Sequence, residues 1–471
     1  MCIYSDAQYE TPTSIRSKNF HMIDRSEIGP PDKTSIGGRP VRNSALASGA
    51  GLIAIRIANA FLGLATVAIL ARNLSPSEYG LYTMALTVSQ FLSLPLCMGI
   101  PTLLTREISI AVQSQDNNVL FGLKVWSRRV IFWGSLVLGT LIIGSYAAVR
   151  AIEYPVLEQL SWPIILSMTA LIPAIAIIKR TMGALSGFGR VAQGRLPDGL
   201  IRPMLFLLAA SVGLIHFDFS VSALISTHLL AALIAVIFGA WLTRQDWPTE
   251  RTPDFHFTQW QKSLFPLTVF AAAGAIKSYS DLLMIGAIVG TDQVAQYRVA
   301  IQIASAAMIA NIIVNAILSP RFAALHLLDN SAEIQRLAVF GSRVAFVAAI
   351  SFVLMILIIG SSGFSAVLGL EYATSYELTL WLAIGIAASA FFGSSVLILN
   401  MSGREIYSAR YSYFTAIANI ALNAILIPFF GALGAVIATV FTTVLMQALA
   451  WILVRRELGI RTDAFGVCLP K

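Results

Sequence analysis

The 471-residue sequence is poor in charge, cysteine and histidine. Only 12% of its residues are Asp, Glu, Lys or Arg, roughly half the share in an average soluble protein, and too few to coat several soluble domains. Its three cysteines and five histidines are scattered without metal-ligand spacing, which excludes a disulfide scaffold and a zinc site. We therefore expect no metal and no cofactor. The net charge of +8 does not by itself indicate a nucleic-acid partner, and we expect none.

The sequence also lacks the motifs of common catalytic sites. It contains no Walker A loop, no H-E-x-x-H and no G-x-S-x-G pattern, so no catalytic residue is predicted and we expect that the protein is not an enzyme. Without an ATP site, any active transport would have to use an ion gradient or the gradient of the substrate itself.

Long apolar runs dominate what remains, since 57% of the residues are hydrophobic. A membrane span needs about 20 mostly apolar residues, and this criterion predicts an all-α integral membrane protein of about twelve spans. The predicted spans are residues 49–71, 80–103, 129–149, 159–178, 200–217, 219–242, 264–290, 294–318, 337–360, 378–400, 411–430 and 432–454.

The basic residues indicate the orientation of these spans. Of the 32 Lys and Arg residues, 27 fall on one side, whereas the loops of the other side carry only Arg72 and Arg150. Because Lys and Arg are retained in cytoplasmic loops, both termini are predicted to be cytoplasmic. Residues 1–48 lack a signal-peptide apolar region and are predicted to form a disordered cytoplasmic tail.

Short sequence matches about 214 residues apart indicate an internal repeat. Tyr82 and Tyr297 lie near the start of corresponding spans, and Arg106 and Arg321 follow the ends of those spans. The members of each pair are 215 positions apart. The prediction is a six-helix bundle over 49–244, a cytoplasmic linker over 245–262, a second bundle over 263–456 and a C-terminal tail over 457–471. Two bundles of the same orientation enclose a cleft, and their rocking would expose it to alternate sides of the membrane.

Four ionisable residues lie within or at the edge of the predicted spans. Arg56, Lys277 and Arg298 are predicted to contact an anionic substrate, because cations inside a membrane need a partner or a water-filled cavity. Asp281, one helical turn after Lys277, is predicted as a charge partner or as a site for a coupling H⁺ or Na⁺. Purely structural roles remain as alternatives to substrate contact. Lys277 and Asp281 would then form a buried ion pair within one helix, and the side chains of Arg56 and Arg298 would extend to the membrane–water interfaces.

Several segments resemble the polysaccharide-exporting branch of the flippase superfamily that includes Wzx-type O-antigen flippases, with multidrug MATE exporters as relatives. Residues 71–82, ARNLSPSEYGLY, resemble the first external loop of that family, and 281–286, DLLMIG, resemble its seventh span. The turn of that span usually contains G-x-Y, whereas this chain has Ala295-Gln296-Tyr297. Further similar segments are 98–101, MGIP, 368–372, LGLEY, and 431–435, GALGA.

The resemblance implies a MATE-like duplicated fold and a flippase of the bacterial inner membrane. Such a protein moves an undecaprenyl-diphosphate-linked oligosaccharide to the outer leaflet for O-antigen (lipopolysaccharide) or exopolysaccharide biosynthesis, alongside polymerase and chain-length regulator proteins. Two alternatives stay open: an ion-coupled multidrug exporter of the same fold, and a membrane polysaccharide polymerase or ligase. The second is less favoured because the longest predicted external loop, residues 361–377, is too short for a catalytic module.

Overall fold

The chain is helical throughout the part that the computed structural model describes, which is residues 41–97, 99–151, 161–217, 219–249, 252–328 and 330–466. No strand occurs in these residues. The helices of the first half are α1 Val41–Asn73, α2 Pro76–Cys97, α3 Gly99–Gln113, α4 Asn117–Ala151, α5 Trp162–Gly187, α6 Val191–Leu196, α7 Arg202–His216 and α8 Val221–Thr243. Those of the second half are α9 Phe257–Ile288, α10 Thr291–Ala304, α11 Ile309–Leu327, α12 Ser331–Leu368, α13 Thr374–Phe391, α14 Ser395–Met401, α15 Glu405–Phe430 and α16 Ala432–Leu458.

The described helices match the predicted membrane spans. Ten helices or continuous helix runs are long and apolar enough to cross a bilayer, and α13 and α14, bent by 48° at a short break, would make an eleventh. Helix α9 has 32 residues, or about 48 Å at 1.5 Å per residue, and coincides with the predicted seventh span. All twelve predicted spans therefore fall on helices, and the protein is a multi-pass membrane protein.

The helix bounds show the duplication directly. Helix α2 begins at Pro76 and α10 at Thr291, 215 residues later, and the α4–α12 pair begins 214 residues apart. The run α6–α7 covers 191–216 and α15 covers 405–430, an offset of 214 at both ends. Each described helix run of the first half thus has a counterpart in the second half.

Polar side chains at the short loops fix where several helices begin. Ser75 and Glu78 form a reciprocal capping pair at the start of α2, with the Ser75 N–H donating to Glu78 at 3.0 Å and the Glu78 N–H to Ser75 Oγ at 3.4 Å. At the start of α4, Asp116 Oδ1 accepts from the Val119 N–H, and at the start of α12, Asn330 Oδ1 accepts from the Glu333 N–H. Such caps satisfy backbone donors that an apolar helix leaves free at its first turn.

Two predicted loop regions are more helical than expected. Helix α12 continues to Leu368, although Gly360 interrupts its geometry with a φ of +63°. Glycine adopts this angle at little cost, so the chain bends and then resumes its helix inside the predicted external loop 361–377. Helix α1 begins at Val41, within the predicted tail 1–48, and residues 41–48 contain no glycine or proline that would interrupt a helix. Residues 1–40 of that tail lie outside the described residues.

Residues Ala47–Lys471 form one compact unit. After α16 ends at Leu458, the chain turns back and packs under the second half, where Ile460 and Ala464 are buried. The Ser342 hydroxyl donates to the Thr462 carbonyl at 2.5 Å, and the Thr462 hydroxyl donates to the Phe392 carbonyl at 2.9 Å. The described part of the predicted C-terminal tail is therefore built into the second half. The Met1–Leu46 unit is described only from residue 41.

Candidate functional site: a cationic cavity between the two halves

A cavity of about 680 Å³ lies between the halves, within the range of about 300–1,000 Å³ for small-molecule pockets. Helices α1, α2, α7 and α8 form one wall, and α9, α10 and α11 form the other. Its wall on α1 runs from Ile53 to Leu70, which is about 25 Å at 1.5 Å per residue. The cavity is therefore long enough to reach across most of a bilayer core.

Three arginines line the cavity, and none of its described lining residues is Asp or Glu. Two of them, Arg56 and Arg298, were predicted from the sequence as substrate contacts, and neither forms an ion pair with a described residue. Arg298 lies beside the Tyr79 ring. Two guanidinium groups are thus available to an anion inside the cavity, which is the arrangement that suits a phosphate or a carboxylate.

The third arginine, Arg202, was not predicted as a site residue. It follows a π-helical turn, Pro197–Ile201, and its Nη2 lies 2.8 Å from Asp198 Oδ1 in that turn. Lys179 of α5 lies 2.7 Å from the other carboxylate oxygen of Asp198. Asp198 therefore holds Arg202 in place while Lys179 offsets the negative charge. The sequence signal was available, because Arg202 is the third residue of the predicted span 200–217.

The polar wall of the first half also includes a tyrosine–histidine pair. The Tyr82 hydroxyl lies 3.0 Å from His228 Nδ1, and the Tyr82 ring stacks on Phe206 at 5.6 Å between centroids. All three residues line the cavity. Their rings give the first half a packed aromatic surface of the kind that sugars and apolar groups contact.

Lys277 is placed differently from Arg56 and Arg298. Its neighbours Ser278 and Tyr279 line the cavity, as does Leu282, but Lys277 does not. The Lys277 ammonium forms no hydrogen bond or ion pair with a described residue. The structure therefore places two of the three predicted cationic contacts in the cavity lining and leaves Lys277 on another face of α9.

Asp281 lies inside the second half and has partners that the sequence did not indicate. It is 5% exposed, and its carboxylate accepts hydrogen bonds from Tyr297 at 2.8 Å, Thr439 at 2.7 Å and Asn423 at 2.5 Å. It forms no ion pair with Lys277 or Arg298 in the described residues. The predicted charge partnership of Asp281 is therefore not a direct contact, because α10, α15 and α16 present neutral donors to the carboxylate.

The carboxylate and the cavity share two helices. On α9, Ser278 and Leu282 line the cavity and Asp281 faces the core of the second half. On α10, Arg298 lines the cavity and the adjacent Tyr297 donates to Asp281. A change of charge at Asp281 would therefore act on the helices that shape the cavity wall.

Contacts between the halves close the cavity at the side predicted to face outward. The Tyr372 hydroxyl, next to α13, donates to the Leu74 carbonyl at the end of α1 at 3.3 Å. The rings of Tyr79 and Tyr372 pack with centroids 6.4 Å apart. Both tyrosines are almost fully buried, so the two halves are in close contact at this end of the interface.

The chain was compared with known protein families, curated proteins and solved structures. The profile of a family described as "Polysaccharide biosynthesis protein" matches residues 45–326. No curated protein matched. Among solved structures, the lipid II flippase MurJ in its inward closed conformation is 13% identical with a TM-score of 0.68, covering 86% of this chain and 87% of that one.

Two transporters of the MOP superfamily are also similar in fold. An inward-facing multidrug resistance MATE family transporter is 14% identical with a TM-score of 0.65, covering 86% of this chain and 98% of that one. A MOP superfamily transporter from Pyrococcus furiosus, described by the reverse polarity of its binding pocket, is 12% identical with a TM-score of 0.57, covering 89% and 96%. At these identities the likeness establishes the MATE-like fold, which confirms the fold predicted from the sequence.

Proposed function

Because the chain belongs to the polysaccharide biosynthesis protein family, we propose that it flips undecaprenyl-diphosphate-linked oligosaccharides across the bacterial inner membrane. The observation that carries this proposal is the cavity between the halves, which Arg56, Arg202 and Arg298 line without a lining carboxylate among the described residues. A diphosphate carries the charge that such a cavity attracts, and its oxygens suit the planar guanidinium group. The product would enter O-antigen or exopolysaccharide biosynthesis, alongside a polymerase and a chain-length regulator.

Alternating access is the mechanism that we infer for this substrate. The diphosphate would enter the cavity from the cytoplasmic leaflet and contact Arg56 and Arg298, while the polyprenyl chain stays in lipid. Rocking of the halves would then break the contact between Tyr372 and Leu74 and open the cavity outward. Both termini would remain cytoplasmic, as the distribution of Lys and Arg predicts.

Asp281 is proposed as the coupling site for H⁺ or Na⁺. Its three described side-chain donors are neutral, so no described cation contacts the carboxylate directly. The neighbouring Asn423 Oδ1 is buried and has no hydrogen-bond partner, which leaves a second oxygen available to a cation. Occupation of this site would alter α9 and α10 together.

A multidrug exporter of the same fold is the main competing function. Its substrates are commonly cationic and would favour acidic groups in the cavity, whereas the described lining of this cavity has three arginines and no carboxylate. A polymerase or ligase is disfavoured because helices α12 and α13 take up most of the predicted external loop, and little chain remains there for a catalytic module.

Deletion of the gene, followed by location of the lipid-linked oligosaccharide, tests the proposal. We expect the diphosphate lipid to accumulate in the cytoplasmic leaflet and surface polysaccharide to be lost. Normal lipid-linked pools with intact polysaccharide would overturn the proposal and favour drug export. Accumulation in the outer leaflet would point instead to a polymerase or ligase.

Complementation with matched arginine variants tests the proposed contacts. Arg298→Gln and Arg56→Gln should each reduce export roughly tenfold or more, because each loses a charge-assisted hydrogen bond to the diphosphate. Arg456→Gln is the control, since this exposed residue at the end of α16 lies outside the cavity. Equal export by all three variants at equal protein level would contradict the anion-contact role.

A further inference from the structure

A second cavity of about 900 Å³ lies on the first half, away from the interface between the halves. Helices α4, α5 and α8 and the segment after α8 enclose it, and none of its lining residues lines the first cavity. We call it the basic groove, because four cations line the end that is predicted to be cytoplasmic: Lys124, Arg128, Arg180 and Arg244.

The cations of the basic groove have no counter-charge in the described structure. None of its described lining residues is Asp or Glu, and none of the four cations forms an ion pair with a described residue. Nearby basic residues differ, since Lys179 is paired with Asp198 at 2.7 Å and Arg190 with Asp246 at 2.6 Å. The surrounding fold therefore supplies acids to these two neighbouring cations and leaves the group in the groove positive.

The burial of Arg180 makes the unpaired positive charge of the basic groove energetically unfavourable. The side chain is only 7% exposed, its Nε donates to Ser127 Oγ at 2.7 Å, and its guanidinium lies 5.4 Å from the centre of the Trp247 ring. Hydrogen bonds and a ring orient the guanidinium but do not neutralise it. A charge buried at a membrane interface without a partner is expensive, so a bound anion would stabilise this part of the fold.

The rest of the basic groove is apolar and runs along the helices. On α4 it extends from Arg128 to Ile143, which is about 22 Å at 1.5 Å per residue and exceeds the roughly 15 Å depth of one leaflet. Phe132, Leu136 and Leu166 along it are exposed, as expected of side chains that contact acyl chains. Ser135 and Thr169 also line it, and each has a buried hydroxyl oxygen without a hydrogen-bond partner.

The second half shows that the fold does not require most of these charges. At the 214-residue offset of α4 and α12, Lys124 corresponds to Ala338, Arg128 to Ser342 and Arg180 to Ser394. Helices α8 and α16 begin 211 residues apart, and at that offset Arg244 has a basic counterpart, Arg455. Three of the four cations are therefore an addition to the shared scaffold and point to a ligand.

We propose that the basic groove binds an anionic glycerophospholipid of the cytoplasmic leaflet. The phosphate contacts the four cations, one acyl chain lies along α4 and α5, and the hydroxyls of Ser135 and Thr169 are available to ester oxygens. Basic pockets between membrane helices on the cytoplasmic side bind lipid headgroups for these electrostatic reasons. This site does not depend on the identity of the transported substrate.

The test is native mass spectrometry of the purified full-length protein with phosphatidylglycerol or zwitterionic phosphatidylethanolamine. We expect the protein to prefer phosphatidylglycerol, and Arg128→Gln/Arg244→Gln to weaken that binding roughly tenfold. Both residues are exposed, so the variant should fold. The control is Lys262→Gln/Arg456→Gln, which removes two exposed cations outside the basic groove.

A further variant and competition by other anions distinguish binding of a bilayer lipid from binding of other anionic ligands. Ala170→Trp fills the apolar part of the basic groove and should weaken phosphatidylglycerol binding without any change of charge. Equal binding by the groove and control variants would overturn the proposal. So would complete competition by inorganic phosphate, which would show that the acyl chain is irrelevant, or selective retention of a polyprenyl diphosphate, which would assign the groove to the transported lipid.

Discussion

The two halves place repeat-related tyrosines in different environments. Tyr82 and Tyr297 are related by the repeat and are both buried. Tyr82 lines the cavity and pairs with His228 Nδ1 at 3.0 Å, whereas Tyr297 donates to the Asp281 carboxylate at 2.8 Å. One repeat has therefore turned this tyrosine toward the cavity, and the other has turned it toward a buried acid.

The partners of the two tyrosines explain the difference. At the repeat offset, Asp281 corresponds to Thr66 and Asn423 to Ala209, so the first half lacks the acid and the amide of this polar set. It carries Arg202 instead, whose counterpart at the α15 offset is Ala416. The duplicated scaffold thus separates two tasks, with most anion contacts in the first half and the proposed coupling acid in the second.

The largest expected effect is that of Asp281→Asn. The amide keeps the size of the side chain but carries no charge, so we expect gradient-driven export to fall by roughly a hundredfold or more while the protein remains folded. Export of lipid-linked oligosaccharide under imposed H⁺ or Na⁺ gradients measures this. Wild-type export by the variant would show that the second half does not carry the coupling acid.

Tyr297→Phe should have the next largest effect. It removes a hydrogen bond to a buried carboxylate, which costs about 1.5–3 kcal/mol, and we expect a lower midpoint of thermal unfolding together with roughly tenfold slower export. The control is Tyr376→Phe, a half-buried tyrosine outside the cavity. If both variants behave alike, the Tyr297 contact has no special role.

Tyr82→Phe should have a smaller effect than its repeat-related variant. The lost bond to His228 is worth about 1 kcal/mol, and the phenyl ring retains the stacking on Phe206. Export should fall only severalfold, and thermal unfolding should change less than in Tyr297→Phe. A larger loss than in Tyr297→Phe would reverse the proposed division between the halves.

Lys277→Gln should have the smallest effect of the four. The ammonium has no described hydrogen bond or ion pair and does not line the cavity, so export should stay within about twofold of wild type. The sequence-based hypothesis gives the opposite result, since it makes Lys277 a substrate contact. Loss of export with normal membrane insertion would therefore favour that hypothesis and indicate that the cavity rearranges during transport to include Lys277.

Much of the architecture was predictable from local sequence. Membrane spans depend on apolar length, and all twelve predicted spans fall on helices. The repeat was visible in short matches such as Tyr82 and Tyr297, and the helix bounds agree with its offset. The cationic character of the cavity was also predicted, through Arg56 and Arg298, because charges inside a span are rare and conspicuous.

Side-chain direction was harder to predict. The spacing of Lys277 and Asp281 places them on one face of α9, but only the packing of α10, α15 and α16 decides what that face meets. Arg202 lies at the start of the predicted span 200–217, and the π-helical turn that precedes it has no signature in the local sequence. The basic groove combines residues up to 123 positions apart, from Lys124 to Trp247, and no local pattern reports such a juxtaposition.

The Tyr372 contact with Leu74 sets a thermodynamic threshold for the transport cycle. A tyrosine buries about 200 Å², so exposing half of it during outward opening costs about 2.5 kcal/mol at 25 cal/mol per Å². This term alone lowers the outward-open population about seventyfold relative to a state without the contact. An empty transporter would therefore seldom open outward, because a single aromatic side chain holds this end of the interface together.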